Sequence, residues 1–395
     1  MLIPKKRLKT ITKFGAPYLL FSIGISAVVT IWSVYLNSFL NNSSLVGLLE
    51  SFFFVLEILA YIFLIPIIRK GNKAKLLVLS LLFFAVSYFI FAFYSNVYLV
   101  IILGTLIAIA TSLRTTLNGL IVRDNSESQN VSKNEGFIYS LLNLAWFLGP
   151  LIAGYLASTI YGFKSVFLIA SAILLLSILL FKLLKIKDDR KTKYLKENIF
   201  KLFINFFKDK NRVLIYILSL SVPFWWIFIY VYMPIYIVSH GLSEFVLGLF
   251  ISGITVPLIF GDYIFARIAG KRGFKKLFFT GFISLGILAI SLFFTSNIYI
   301  VLGLLILSGV SVSMIEPTIE AYFLDIVKEE ERDKYYGIYT TSSQLGSLIG
   351  SLTAALLLIF QPFKSLFLLF GIPMILLAFI ALKIKDSYEF KKKSQ

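Results

Sequence analysis

Twelve long apolar runs, separated by short polar stretches, confine this chain to one solvent. They fall at about 14–40, 45–68, 76–94, 97–122, 137–160, 165–184, 213–238, 244–266, 277–295, 298–323, 337–360 and 365–382. Crossing a bilayer as a helix takes about 20 apolar residues, so each run can serve as a span. Strands of an outer-membrane barrel would instead alternate polar and apolar residues. An ordinary soluble domain is excluded too, because only 15% of the residues are charged while 58% are hydrophobic. The chain has no cysteine and one histidine, His240, which removes disulfides, thiolate metal sites and His-based triads. No G-x-x-x-x-G-K-[ST] occurs, so the sequence offers no nucleotide-driven chemistry, and no enzymatic activity is expected.

A net charge of +18 would ordinarily suggest nucleic acid or an acidic partner. Its distribution says otherwise. With both termini on the cytoplasmic side, 35 of the 38 Lys and Arg fall in cytoplasmic segments. Only Lys164 and Lys364 lie in the opposite loops, and Arg114 lies within a span. That is the positive-inside pattern, so the charge orients the chain and nucleic acid is not an expected partner. A cleavable signal is not expected, because the first apolar run exceeds the roughly 7–15 residues of a signal core. The chain is therefore read as a multi-pass protein of the plasma membrane.

The chain also repeats itself. Ser95-Asn96-Val97-Tyr98-Leu99-Val100 returns 201 residues later as Ser296-Asn297-Ile298-Tyr299-Ile300-Val301. Phe163-Lys164-Ser165 returns as Phe363-Lys364-Ser365, Gly47-Leu48 as Gly248-Leu249, and Tyr61-Ile62-Phe63 as Tyr263-Ile264-Phe265. Matches in order at nearly one offset imply duplication, with six spans per copy in the same orientation. The domains are then 1–184, a cytoplasmic linker 185–212, and 213–395. Within the linker, Asn198 to Phe207 carries Phe and Ile at helical spacing beside Lys201 and Lys208. It reads either as a short interfacial helix or as the start of the seventh span.

Two motifs give a family resemblance over essentially the whole chain. The loop after the second span, Arg69-Lys70-Gly71-Asn72-Lys73-Ala74-Lys75-Leu76, is similar to G-x-L-x-D-R-x-G-R-K-x-x-L of the major facilitator superfamily. Ala266-Arg267-Ile268-Ala269-Gly270-Lys271-Arg272-Gly273 repeats it. Gly71 and Gly273 are expected to let these turns take positive φ. The family's acidic residue is Ile68 here and Gly270 in the repeat, so the gating latch assigned to it lacks its acid. In the fifth span, Ala145-Trp146-Phe147-Leu148-Gly149-Pro150-Leu151-Ile152-Ala153-Gly154 resembles the motif of the superfamily's drug/proton antiporters. Small residues there allow close helix approach and Pro150 bends the span. The resemblance implies an all-α fold of twelve transmembrane helices in two parallel six-helix repeats. It also implies alternating-access transport of a small molecule, with spans one, four, seven and ten around the cavity.

Ionisable groups inside the membrane cost about 2.5–3.5 kcal/mol each on insertion scales, which makes each a functional candidate. They are Glu57, Arg114, Asp262, Glu316 and Glu320, with Pro317 bending the tenth span between the last two. Arg114 either pairs with Glu57 or faces the cavity. Glu50 is read as partly hydrated nearer the outer end of the second span, Asp325 as solvated at the inner membrane edge, and His240 as exposed in a loop. Cavity candidates are Asn37 and Asn118, with Trp225, Trp226, Tyr232 and Tyr236 on the seventh span. Those rings suit a cationic or aromatic solute, or else form a packing surface. Four acids face one arginine, so most must be carried as neutral carboxyls, which makes protons the expected coupling ion. No metal or organic cofactor is expected, and the protein is read as a monomer in lipid. Proton-coupled efflux of a hydrophobic or cationic compound is the leading expectation. A symporter or uniporter for a sugar-like or anionic solute is the alternative, and a non-transporting receptor or scaffold is a third reading.

Because the chain has no cysteine, single Cys substitutions test this topology directly. Lys164→Cys and Lys364→Cys should react in intact cells with a membrane-impermeant maleimide, whereas Lys275→Cys should react only after permeabilisation.

Overall fold

The computed structural model describes residues 5–126, 131–186 and 199–385, so part of the linker, including 187–198, lies outside the described residues. Helices account for nearly all of the described chain, as the periodicity requires. They run α1 (Lys5–Leu40), α2 (Ser43–Phe63), α3 (Ile65–Lys70), α4 (Lys73–Phe91), α5 (Val97–Asp124), α6 (Val131–Ala157) and α7 (Gly162–Leu183). The second series is α8 (Ile199–Lys208), α9 (Lys210–Ile227), α10 (Met233–Ser239), α11 (Glu244–Arg272), α12 (Phe274–Phe293), α13 (Ile298–Ile326), α14 (Glu329–Phe360) and α15 (Ser365–Ala381). Among the described residues, eleven segments are long and apolar enough to cross a membrane, and α15 adds a shorter apolar helix. The fold is the expected all-α arrangement of twelve transmembrane helices.

Local chemistry explains the starts of several helices. Asn96 and Asn297, repeat partners in the sequence, each cap a helix by accepting a backbone N–H, from Tyr98 at 2.8 Å and Tyr299 at 2.9 Å. Asp209 caps α9 through the N–H groups of Asn211 and Arg212. That cap separates α8 from the seventh span, so the segment is a helix of its own. The seventh span is itself interrupted: Phe228–Tyr232 forms a π-helical turn between α9 and α10. Pro234, just beyond it, has no N–H to give the carbonyl of Tyr230.

The repeat is visible in the packing. In one compact unit (Met1–Asn41, Phe52–Tyr194, Ile237–Ser252), α1 packs on α6 and α7, and α4 on α5 and α7. In the other (Asn42–Ser51, Leu195–Tyr236, Gly253–Gln395), the equivalent helices pair likewise, α9 on α14 and α12 on α13 and α15. Small residues set the approach. A Cβ on Gly149 of α6 would lie 1.9 Å from Ser26 Oγ on α1, and that hydroxyl donates to Ala145 O at 2.9 Å. In the second unit, a Cβ on Gly346 of α14 would lie 2.4 Å from the carbonyl of Leu220 on α9.

The duplicated glycines Gly47 and Gly248 make matching contacts. A Cβ on Gly248, at the start of α11, would lie 2.4 Å from Pro150 O and 2.9 Å from Gly154 Cα on α6. One on Gly47, at the start of α2, would meet Ala355 Cβ of α14 at 2.9 Å and overlap the Tyr232 hydroxyl. Ser351 Oγ donates to Gly47 O at 2.8 Å and Ser44 Oγ to Ala355 O at 2.7 Å. These contacts explain why the first turns of α2 group with α14, and those of α11 with α6.

Gly149→Ala should destabilise the detergent-solubilised protein by about 1–3 kcal/mol, as overpacking does. Gly119→Ala is the control, since nothing lies within 4 Å of the added methyl. It should be neutral or slightly stabilising in the same thermal-unfolding assay.

Candidate functional site

The polar residues left over from helix packing gather into one cluster in each unit. In the first, Arg114 projects from the middle of α5. Its guanidinium lies 5.9 Å from the Phe84 ring of α4, and its buried Nε has no hydrogen-bond partner. Its charge reaches the phenols of Tyr18 on α1, Tyr61 on α2 and Tyr88 on α4. Glu57, half-buried on α2, acts on the same Tyr61, so both ionisable groups bear on one hydroxyl. Ser112 Oγ donates to the backbone carbonyl of Glu57 at 3.0 Å and ties α5 to α2 at this level. Asn118, one turn beyond Arg114, is buried with its Oδ1 unpartnered. Asn37 Oδ1 is unpartnered too, but it lies near the far end of α1, roughly 28 Å along the helix from Tyr18 and outside this cluster. Such buried polar atoms are costly to leave unsatisfied and mark a place where a solute's own groups can bond.

In the second unit the charge has the opposite sign. Glu316 on α13 accepts a hydrogen bond from the Trp226 indole of α9 and feels the charge of Asp262 on α11. Its Oε2 is buried without a hydrogen-bond partner. Tyr230, in the π turn, lies beside it, and the Trp226 and Tyr230 rings are 5.3 Å apart. Pro317 follows directly and deprives the Ser313 carbonyl of its helical partner. Glu320 lies one turn on but has different surroundings. It is exposed and accepts from Tyr336 Oη of α14 at 2.6 Å. Below that contact, Phe323 and Tyr339 stack with centroids 4.1 Å apart.

The aromatic residues of the seventh span divide between two roles. Trp225, Tyr232 and Tyr236 are buried at 1%, 0% and 3% exposure. Tyr236 stacks on Phe363 at 4.7 Å, and Phe228 between them stacks on Phe370 of α15 at 4.9 Å. Tyr232 Oη donates to Ser351 O at 2.9 Å. Tyr232 and Tyr236 thus pack helix against helix, Trp225 is buried with its indole Nε1 unpartnered, and Trp226 sits with the acids. Glu50 corrects the reading from sequence. It is 8% exposed, not hydrated, because the start of α2 packs into the second unit, where its charge acts on Tyr232. Asp325 and His240 are exposed, as expected, with His240 Nδ1 3.5 Å from Ser239 Oγ.

The loop motifs also resolve. Gly273 does take positive φ, at 83°. Gly71 does not: its φ is −82°, and what it needs is space, since a Cβ would lie 2.8 Å from Ile67 O and 2.7 Å from Leu76 Cδ1. The side chain of Arg69 lies outside the described residues. Directly after Gly71, Asn72 caps α4 by accepting from Lys75 N at 2.9 Å. Lys73, 2% exposed, forms an ion pair with Asp124 at the end of α5. The loop lacks its family acid, yet Asp124 supplies a carboxylate from another helix. Sequence reading missed this pair, together with Tyr18, Tyr61, Tyr88, Tyr230 and Tyr336. Of these, Tyr18 left a signal, one turn before Ser22 and two before Ser26 at helical spacing on α1.

A helical membrane protein built from two six-helix repeats, with charges held at mid-span, has the architecture of a secondary transporter. The family model described as Major Facilitator Superfamily matches residues 17–273 and 241–395, so the chain belongs to that superfamily of transporters. Quinolone resistance protein NorA of Staphylococcus aureus (strain COL) is 26% identical over 362 residues, covering 86% of this chain and 87% of the relative. An uncharacterized MFS-type transporter of Methanocaldococcus jannaschii is 22% identical over 338 residues, covering 84% and 86%. Among solved structures, a D-xylose-proton symporter superposes with a TM-score of 0.77 at 16% identity, covering 96% of this chain and 98% of that one. A bacterial homolog of the human lysosomal transporter Spinster gives 0.75 at 14%, covering 99% of each.

Lys73→Met should strand the Asp124 carboxylate and cost about 3–5 kcal/mol, the range for breaking a buried pair. The double variant Lys73→Met/Asp124→Asn should recover most of that loss, read as the thermal midpoint of the purified protein.

Proposed function

We propose that the protein is a proton-coupled antiporter that exports a hydrophobic or cationic small molecule across the plasma membrane. It works as a monomer with both termini in the cytoplasm, and it needs no metal or organic cofactor. The observation that carries this reading is Glu316, a carboxyl with a buried unpartnered oxygen, next to a second acid and two aromatic rings. An ionised carboxylate in such a place carries a large desolvation cost unless a cation stands in for the proton. Proton and organic cation therefore compete for one group, and that competition is what antiport requires. Trp226 and Tyr230 add ring faces that attract a cation. Similarity to the quinolone resistance protein NorA supports export as the direction.

Alternating access then follows from where the proton sits. When the acid faces the more acidic compartment it takes a proton and releases the solute; facing the other way, it exchanges the proton for solute. The aromatic pair holds the solute's apolar surface, and Asp262 raises the local negative charge that favours a cation. Pro317, which leaves the Ser313 carbonyl without its helical partner, gives α13 a point at which to flex. A second reading, transport of a solute bearing an anionic group, is favoured by Arg114 and its three tyrosines. In that case Arg114→Gln would abolish solute binding, whereas export of a cation would leave binding intact.

The decisive assay uses proteoliposomes. Glu316→Gln should lose pH-gradient-driven efflux down to the leak level, and counterflow of a cationic solute with it, because the neutral amide mimics the protonated acid that releases the solute. Full pH-driven efflux by that variant would overturn the assignment.

A further inference from the structure

The helix α8 takes no part in either cluster, yet its surface is built for a particular environment. With about 100° between successive residues, Phe203, Phe207 and Ile204 share an arc of roughly 100°, and Lys208 and Lys201 occupy the next 60° or so. Phe206 points the other way. The exposures agree: Phe203, Ile204 and Phe207 are 36%, 47% and 38% exposed, Lys201 and Lys208 are exposed, and Phe206 is fully buried. A soluble helix would not present three adjacent large apolar side chains to water. A stripe of Phe and Ile bordered by lysines on one side is the arrangement of a helix lying in a membrane interface.

The buried side is firmly held. Phe206 packs edge-on against Tyr216 of α9 at 5.9 Å and against Tyr335 of α14 at 5.7 Å. Arg212 lies 4.3 Å from the Tyr335 ring, donates to Asn205 O at 3.0 Å, and approaches Glu331 at 4.0 Å. Asp209 caps α9 immediately after α8. The helix is thus clamped to the ends of α9 and α14, with its apolar stripe facing away from them.

We infer that α8 docks on an anionic membrane surface, its Phe203–Ile204–Phe207 stripe in the acyl boundary and Lys201 and Lys208 on acidic lipid headgroups. Charge complementarity selects this occupant. Segment 182–212 carries eleven Lys and Arg against four Asp and Glu, the kind of basic stretch that negatively charged leaflets attract. Both lysines of α8 lie at the edge of the apolar stripe, where headgroup phosphates sit when the stripe is immersed. The inference is independent of which solute the protein carries, and it rests on the linker lying at a membrane surface.

The absence of cysteine makes the test clean. The full chain with Ile204→Cys, carrying a nitroxide label, is reconstituted in phosphatidylcholine vesicles with or without phosphatidylglycerol. His240→Cys serves as the aqueous reference. Collision with oxygen, relative to a water-soluble nickel chelate, reports depth. With phosphatidylglycerol present, the Ile204 label should prefer oxygen, and the ratio of docked to undocked helix should fall about fivefold for each of Lys201→Gln and Lys208→Gln. A label as open to the chelate as that at His240 in both vesicles would overturn the proposal. So would immersion indifferent to headgroup charge and to both lysines, or poor collision with oxygen and chelate alike, as expected if another protein segment covers the stripe. Neither outcome depends on transport, so it leaves the proposed function standing or falling on its own assay.

Discussion

Every peptide group in the hydrocarbon of a bilayer must find its hydrogen-bond partner within the protein. That constraint turns the apolar runs into helices and leaves their association to close packing, since lipid offers no hydrophobic drive between them. The contacts of Gly149 with Ser26, Gly248 with Pro150 and Gly47 with Ala355 show what such packing needs: backbones brought so near that a single methyl would collide. Serine hydroxyls then bond across the same seams, as Ser26 does to Ala145 and Ser351 to Gly47.

Once helices and seams have satisfied themselves, the remaining polar groups stand out. Arg114 and Glu316 occupy nearly the same place in the two repeats, since an offset of 201 carries Arg114 to within one residue of Glu316. Duplication supplied one helix twice, and divergence gave it a cation in one copy and an acid in the other. Each is dressed with aromatic hydroxyls or indole drawn from neighbouring helices, Tyr18, Tyr61 and Tyr88 around the arginine, Trp226 and Tyr230 around the acid. A charge surrounded by groups that only partly satisfy it keeps capacity for a ligand.

The loops show the same economy with different parts. Lys73 finds its carboxylate at Asp124, although the loop's usual acid is missing. The offset that relates the copies puts Lys275 and Asp325 close to the corresponding positions, so the second loop carries the same two residue types. Of the two loop glycines, Gly273 is required by its dihedral angle and Gly71 by the crowding of Ile67 and Leu76.

Periodicity and charge were enough to read the spans, the duplication and the mid-membrane ions from the sequence, because each depends only on composition along a line. The caps at Asn96, Asn297 and Asp209 are local as well. What surrounds an ion is different, since it comes from helices far apart in the chain. Nothing near Glu320 announces Tyr336, nothing near Lys73 announces Asp124, and Glu50 reads as hydrated until α2 is seen packed against α14. Likewise the seventh span presents four large aromatics with one helical logic, and only packing against α15 separates Tyr232 and Tyr236 from Trp226. The sequence by itself determined where the chain crosses the membrane and which charges it keeps there, because the cost of burying a charge is a property of the residue. Tertiary structure decided which of those charges acquire partners and which remain available, because a partner is a matter of distance, and distance belongs to the fold.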